Sequence, residues 1–152
     1  MFVSHSKFFL PLLVLCLLLA FQCEKDKNPL NPVFSGIAKT DDQANLIEDD
    51  PDDWQPRCGA PAPFCARAAY PNPTQGFTSI HFALSSGMPV KIVIHSPSNR
   101  IVRTLLDTSL SPGTHTVAWD LKNDAGELLP NGIYRVYIEA GILTHGDIQI
   151  QR

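Results

Sequence analysis

From Ala69 onward, apolar and polar positions alternate with period two in short runs. Ile80, Phe82 and Leu84 alternate with Ser79, His81 and Ala83. Val90, Ile92 and Ile94 alternate with Lys91, Val93 and His95. Such spacing sends one set of side chains to a buried face and the other to water, as in a half-buried strand. Gly87, Ser96-Pro97-Ser98-Asn99 and Ser111-Pro112-Gly113 interrupt the runs with turn-forming residues. Further strands are expected over 101–106, 114–121 (Val117 and Trp119 on one face), 133–140 and 145–151. This predicts six strands, or seven if 66–70 pairs at an edge. No helical period occurs in this half. An all-β fold follows, an antiparallel sandwich or barrel.

Residues upstream of this half follow a different pattern. Phe8 to Phe21 is almost wholly apolar and is preceded by His5 and Lys7. The run is short for a membrane span, which needs roughly 20 residues, and it suits the core of a secretory signal over residues 1–22. The alternative is a retained anchor helix. Cys23 closes the run before Glu24-Lys25-Asp26-Lys27. This resembles a bacterial lipoprotein signal, whose cysteine is diacylated after cleavage. The family pattern has Leu three residues before the cysteine and a small residue just before it; this chain has Ala20 and Gln22 there. Ordinary cleavage after Ala20 is the rival. Lipidation at Cys23 would tie the protein to a membrane.

Residues 23–67 are expected to be an extended, acidic, Pro-containing linker. Over 24–67 there are five Lys/Arg against nine Asp/Glu, whereas 68–152 holds six of each. No cation lies between Asp41 and Trp54, so self-repulsion should extend this stretch. A calcium site is the other reading of Glu48-Asp49-Asp50-Pro51-Asp52-Asp53, but the Gly and Glu positions of a calcium loop are absent. Cys58 and Cys65 lie close together around Gly59 and two prolines. In an exported chain such a pair oxidises, and so short a loop gains on the order of 2–3 kcal/mol. A zinc reading lacks two further ligands.

Several motifs in 68–152 occur together and in order: Tyr70-Pro71-Asn72-Pro73, then Pro112-Gly113-Thr114-His115-Thr116-Val117-Ala118-Trp119-Asp120, then Gly126 and Asn131-Gly132-Ile133-Tyr134. In these the region resembles the FlgD-type immunoglobulin-like domain, which is similar to the C-terminal sorting domains of type IX secretion cargo. The resemblance implies an immunoglobulin-like antiparallel β-sandwich over 68–152. Where many members carry Gly after Trp-Asp, this chain has Leu121; where many carry Phe-Asn after the second proline, it has Thr74-Gln75. Trp119 is expected as a core anchor, Asp120 as a turn cap and Tyr134 as a core residue on the next strand. Gly126 and Gly132 are expected where the backbone needs unusual angles.

No nucleophile elbow, phosphate loop or dinucleotide fingerprint is present, and no cofactor is implied. His81, His95, His115 and His145 show no short-spaced ligand pair, so no metal site is expected. The formal charge of −3 offers no basic patch for nucleic acid. The chain therefore reads as a non-catalytic, exported protein with no catalytic residues. It would be a lipoprotein of the outer membrane or cell envelope, on the periplasmic or surface side, presenting the sandwich to an envelope or secretion-machinery protein. The alternative is a sorting domain with 24–67 as a very short passenger. A hook-capping role is disfavoured by the export signal.

Overall fold

The computed structural model describes residues 36–59 and 61–152. The signal segment and Cys23 lie outside the described residues. Nine strands follow in chain order: β1 Lys39–Thr40, β2 Leu46–Glu48, β3 Phe64–Tyr70, β4 Thr78–Leu84, β5 Met88–His95, β6 Ile101–Leu110, β7 Gly113–Trp119, β8 Gly132–Glu139 and β9 Leu143–Ile150. Every named pairing is antiparallel. One sheet runs β3-β4-β7 and the other β6-β5-β8-β9, with β1-β2 a separate ribbon.

The alternation read from sequence is the alternation seen. Ile80, Phe82 and Leu84 of β4 face Val90, Ile92 and Ile94 of β5 across one core, which Val136, Ile138, Ile148 and Ile150 extend. Trp119 is fully buried, and its ring meets that of Tyr134 edge-on at 5.7 Å. The all-β, immunoglobulin-like sandwich is thus the fold. β6 runs on to Leu110, further than the apolar pattern indicates, because Thr108 and Ser109 keep pairing with β5 while facing water.

Residues 36–59 differ from the extended spacer expected there. They form a strap that folds back onto the sandwich. Trp54 is fully buried and joins the core cluster. It fits because β9 carries Gly146 opposite it: a Cβ at Gly146 would lie 2.0 Å from the indole. The repulsion anticipated from the acidic run is offset by cations that flank it within the strap. Glu48 pairs with Lys39 and Asp49 with Arg57, while Asp52 lies 3.8 Å from the His145 ring of β9. Asp41 instead accepts the backbone N–H groups of Gln43 and Asn45 and closes its own turn. Net charge over the segment misses this pairing, because folding the strap brings its few cations against particular carboxylates.

Candidate interaction surface

A β-sandwich must deal with the outer edges of its sheets, where backbone N–H and C=O groups lack a neighbouring strand. Here the two sides are treated differently. On the β9 side the outward-facing backbone groups from His145 O to Gln151 N are occupied. Trp54 N donates to His145 O at 2.7 Å, and Asp147 N donates to Asp53 Oδ1 at 3.1 Å. Asn72 Nδ2 donates to Asp147 O at 2.8 Å, and Gln149 N donates to Asn72 Oδ1 at 2.9 Å. Thr74 N donates to Gln149 O, and Gln151 N to Thr74 O. Asn72 Nδ2 also reaches Ala38 O at 2.9 Å, so one buried amide ties strap and sheet edge together. The Tyr70–Pro71 and Asn72–Pro73 bonds that flank this region are both cis.

The seal has a charged underside. Arg135 and Asp147, direct partners in the β8–β9 register, form a buried two-pronged pair at 2.7 and 2.6 Å. Burial raises the Asp147 carboxyl, and Arg135 opposes that rise. Asp53 is pushed up to about 7, by burial and then by the charge of Asp147, although two backbone N–H groups favour its ionised form.

Among the described residues the opposite side is open. β7 ends its sheet, and β6 ends the other. The start of β6 is covered: Asp124 N donates to Val102 O, and Asp124 Oδ1 accepts from Thr104 N. Among the described residues, no strand or isolated bridge pairs with the outer edge of β6 past Thr104 or with that of β7. Leu105, Leu106, Leu110 and Val117 are half-buried along this seam and pack on the core from its margin.

The remaining motif residues build the frame. Asp120 Oδ1 accepts from Lys122 N at 3.3 Å, and Trp119 Nε1 donates to Lys122 O at 3.0 Å. Tyr134 Oη donates to Pro130 O. Gly126 sits at φ 80°, and Gly132, at φ 159°, is close to extended. Leu121 occupies φ 59° with its side chain fully buried. Cys58 and Cys65 are joined, with Cα atoms 4.9 Å apart, and fasten the strap beside β3. Tyr70 stacks on His81 at 4.7 Å on the outer face of the three-stranded sheet. Pro71, Asn72 and Pro73 line up along β9 instead, so the Tyr-Pro-Asn-Pro run divides between two surfaces. The histidines are not brought together: His81 lies on one sheet, His95 and His145 flank Tyr137 on the other, and His115 stacks on Phe82. No cluster of three metal-ligating side chains occurs among the described residues.

A groove of about 400 Å³ runs beneath the β1-β2 ribbon, over β3 and β4, lined by Thr40, Leu46, Arg57, Arg67, Tyr70 and His81 among others. A second cavity of about 170 Å³ continues it, sharing Cys58, Arg67 and His81.

Residues 71–142 match the family model of the FlgD Ig-like domain. Over this stretch the sandwich is similar to the FlgD Ig-like domain. The match runs from the sealing turn through β8, so the strap, β3 and all of β9 lie outside it. FlgD Ig-like domains are a non-catalytic domain family. Among solved structures, the chain is similar to dimeric latent PorU from Porphyromonas gingivalis, at 21% identity and a TM-score of 0.45. The likeness covers 60% of this chain and 10% of that one, so this chain spans about a tenth of PorU's length. No curated protein matches the chain.

Proposed function

We propose that this is a non-catalytic, exported and lipid-anchored protein. It presents its FlgD Ig-like domain to another envelope protein through the open β6–β7 seam. The asymmetry of the two sides carries this reading. The β9 edge is closed by six hydrogen bonds from the strap and the Asn72 turn. The β6–β7 edge keeps free backbone groups beside half-buried leucines, which is what strand addition by a partner requires. The apolar run before Cys23 supports export and anchoring, as read from sequence.

Two measurements test it. Photo-crosslinkers at Thr108 and Ala118, on the open edge, should capture an envelope protein in intact cells. One at Gln149, on the sealed edge, should not. Equal capture at all three positions refutes the seam. Intact mass of the protein from native membranes should correspond to a diacylated chain from Cys23 that retains its sandwich. A mass lacking residues from about 68 onward would instead favour the sorting-domain reading.

A further inference from the structure

The groove over β3 and β4 is a second surface, separate from the seam, and it has its own chemistry. The chain is acidic overall, and nine carboxylates lie between residues 24 and 67. Yet no Asp or Glu lines either of the two connected cavities. Their charged and titratable side chains are Arg57, Arg67, Tyr70 and His81. Arg57 is engaged with Asp49 and with the Asp50 carbonyl. Arg67 is exposed and has no acidic partner among the described residues. His81 is held by the Tyr70 stack and lies with Nδ1 3.0 Å from Thr116 Oγ1. Its Nε2 is covered and has no hydrogen-bond partner among the described residues. Burial and the neighbouring Arg67 charge both disfavour its protonated form. An unpaired guanidinium beside an aromatic pair is a receptor for a planar anion, since its donors match a carboxylate two-on-two.

The rest of the groove is shaped for a chain rather than a free ion. One wall is Leu46 of the ribbon, which is 48% exposed, and the floor is made of alanines, Ala66 and Ala68. Small floor residues let a backbone approach closely. The volume falls in the range of pockets that hold drug-sized groups. The Cys58–Cys65 bond lines the continuation and fixes its floor.

We propose that this groove binds an acidic peptide segment of a partner protein, with a carboxylate on Arg67 and apolar side chains against Leu46 and Ala68. This site does not use the β6–β7 edge, so either surface can fail without the other.

The test is fluorescence anisotropy on the full chain in a neutral maltoside detergent. The probe is a fluorescein-labelled peptide of eight residues alternating Glu and Leu, compared with its Gln-Leu and Lys-Leu counterparts. The wild type should prefer the Glu peptide over the Gln peptide by at least about tenfold, a decade being ~1.4 kcal/mol. Arg67→Ala should abolish that preference, and Arg67→Glu should reverse it toward the Lys peptide. Both variants should melt as the wild type does, because Arg67 is exposed. Lys91→Ala, on the other sheet, should change nothing. Equal binding of the Glu and Gln peptides, an unaltered Arg67→Ala, or an equal loss in Lys91→Ala would overturn the proposal. So would displacement of the peptide by phosphatidylglycerol vesicles at matched charge, which would make the groove a membrane contact.

Discussion

Gly146 and Trp54 form a matched pair across the strap and β9, and the match can be measured. A Cβ added at Gly146 would stand 2.0, 2.2 and 2.4 Å from three indole carbons of a fully buried ring. Optimal carbon–carbon separation is about 3.5–4.0 Å, so ring or strand must retreat by more than about 1 Å. Overpacking of this kind costs about 1–3 kcal/mol, occasionally more; the depth of this clash places Gly146→Ala near the top, about 3 kcal/mol. Trp54→Ala removes the largest side chain in the strap and should cost about 3–5 kcal/mol. In the double variant the new methyl enters the vacated space, so Gly146→Ala should cost nearly nothing there. The coupling is then about 3 kcal/mol, far outside the additivity expected of independent sites. Thermal unfolding followed by circular dichroism, with the disulfide intact, is the assay. At about 3–6 °C per kcal/mol for a domain of this size, Gly146→Ala should lower Tm by about 10–15 °C in the wild type. In the Trp54→Ala background it should move Tm by no more than about 2 °C. A neutral Gly146→Ala in the wild type would refute the packing argument. An equal loss in both backgrounds would locate the fault in the backbone of β9 rather than in the indole.

Asn72→Ala strips partners from Ala38 O, Asp147 O and Gln149 N at once; it should cost about 2–4 kcal/mol and speed hydrogen exchange at Gln149 before the core opens. At Leu121, φ is 59° and the side chain is buried. Either Gly or Ala loses the packing, but Gly alone relieves about 1–2 kcal/mol of left-handed strain. Leu121→Gly should therefore unfold at higher urea than Leu121→Ala, the reverse of the usual order. Asp53 has a folded pKa of about 7 against 3.8 unfolded, so between those values the folded state holds the extra proton. Its stabilising contribution is complete below pH about 4 and is lost as pH rises through about 7. The fall in Tm from pH 5 to pH 8 should be shallower in Asp53→Asn, and an identical slope would count against the shift.

Period-two alternation at Ile80-Phe82-Leu84 and Val90-Ile92-Ile94 was enough to specify β4 and β5, because a strand's two faces are set by its own residues. The Trp119–Asp120 turn and the return at Tyr134 were legible for the same local reason: a large aromatic, a capping carboxylate and Gly126 each act within a few residues. The site was less legible. Nothing near Trp54 in the chain reveals that Gly146 leaves room for it, and Asp53 meets Asp147 across 94 positions. A lone tryptophan inside an acidic run was the available signal, since so large an apolar ring seldom stays in water without a role. The groove's Arg67, with no acidic partner among the described residues, was equally hidden, because pairing depends on where the fold carries each carboxylate. The sequence alone therefore determined the strands from β4 onward, their buried faces and, through the family resemblance, the class of sandwich, while β1 and β2 of the strap escaped it. Only the tertiary structure decided which edge is sealed and which is open, because the sealing groups come from the strap and the Asn72 turn, far from β9 in the chain.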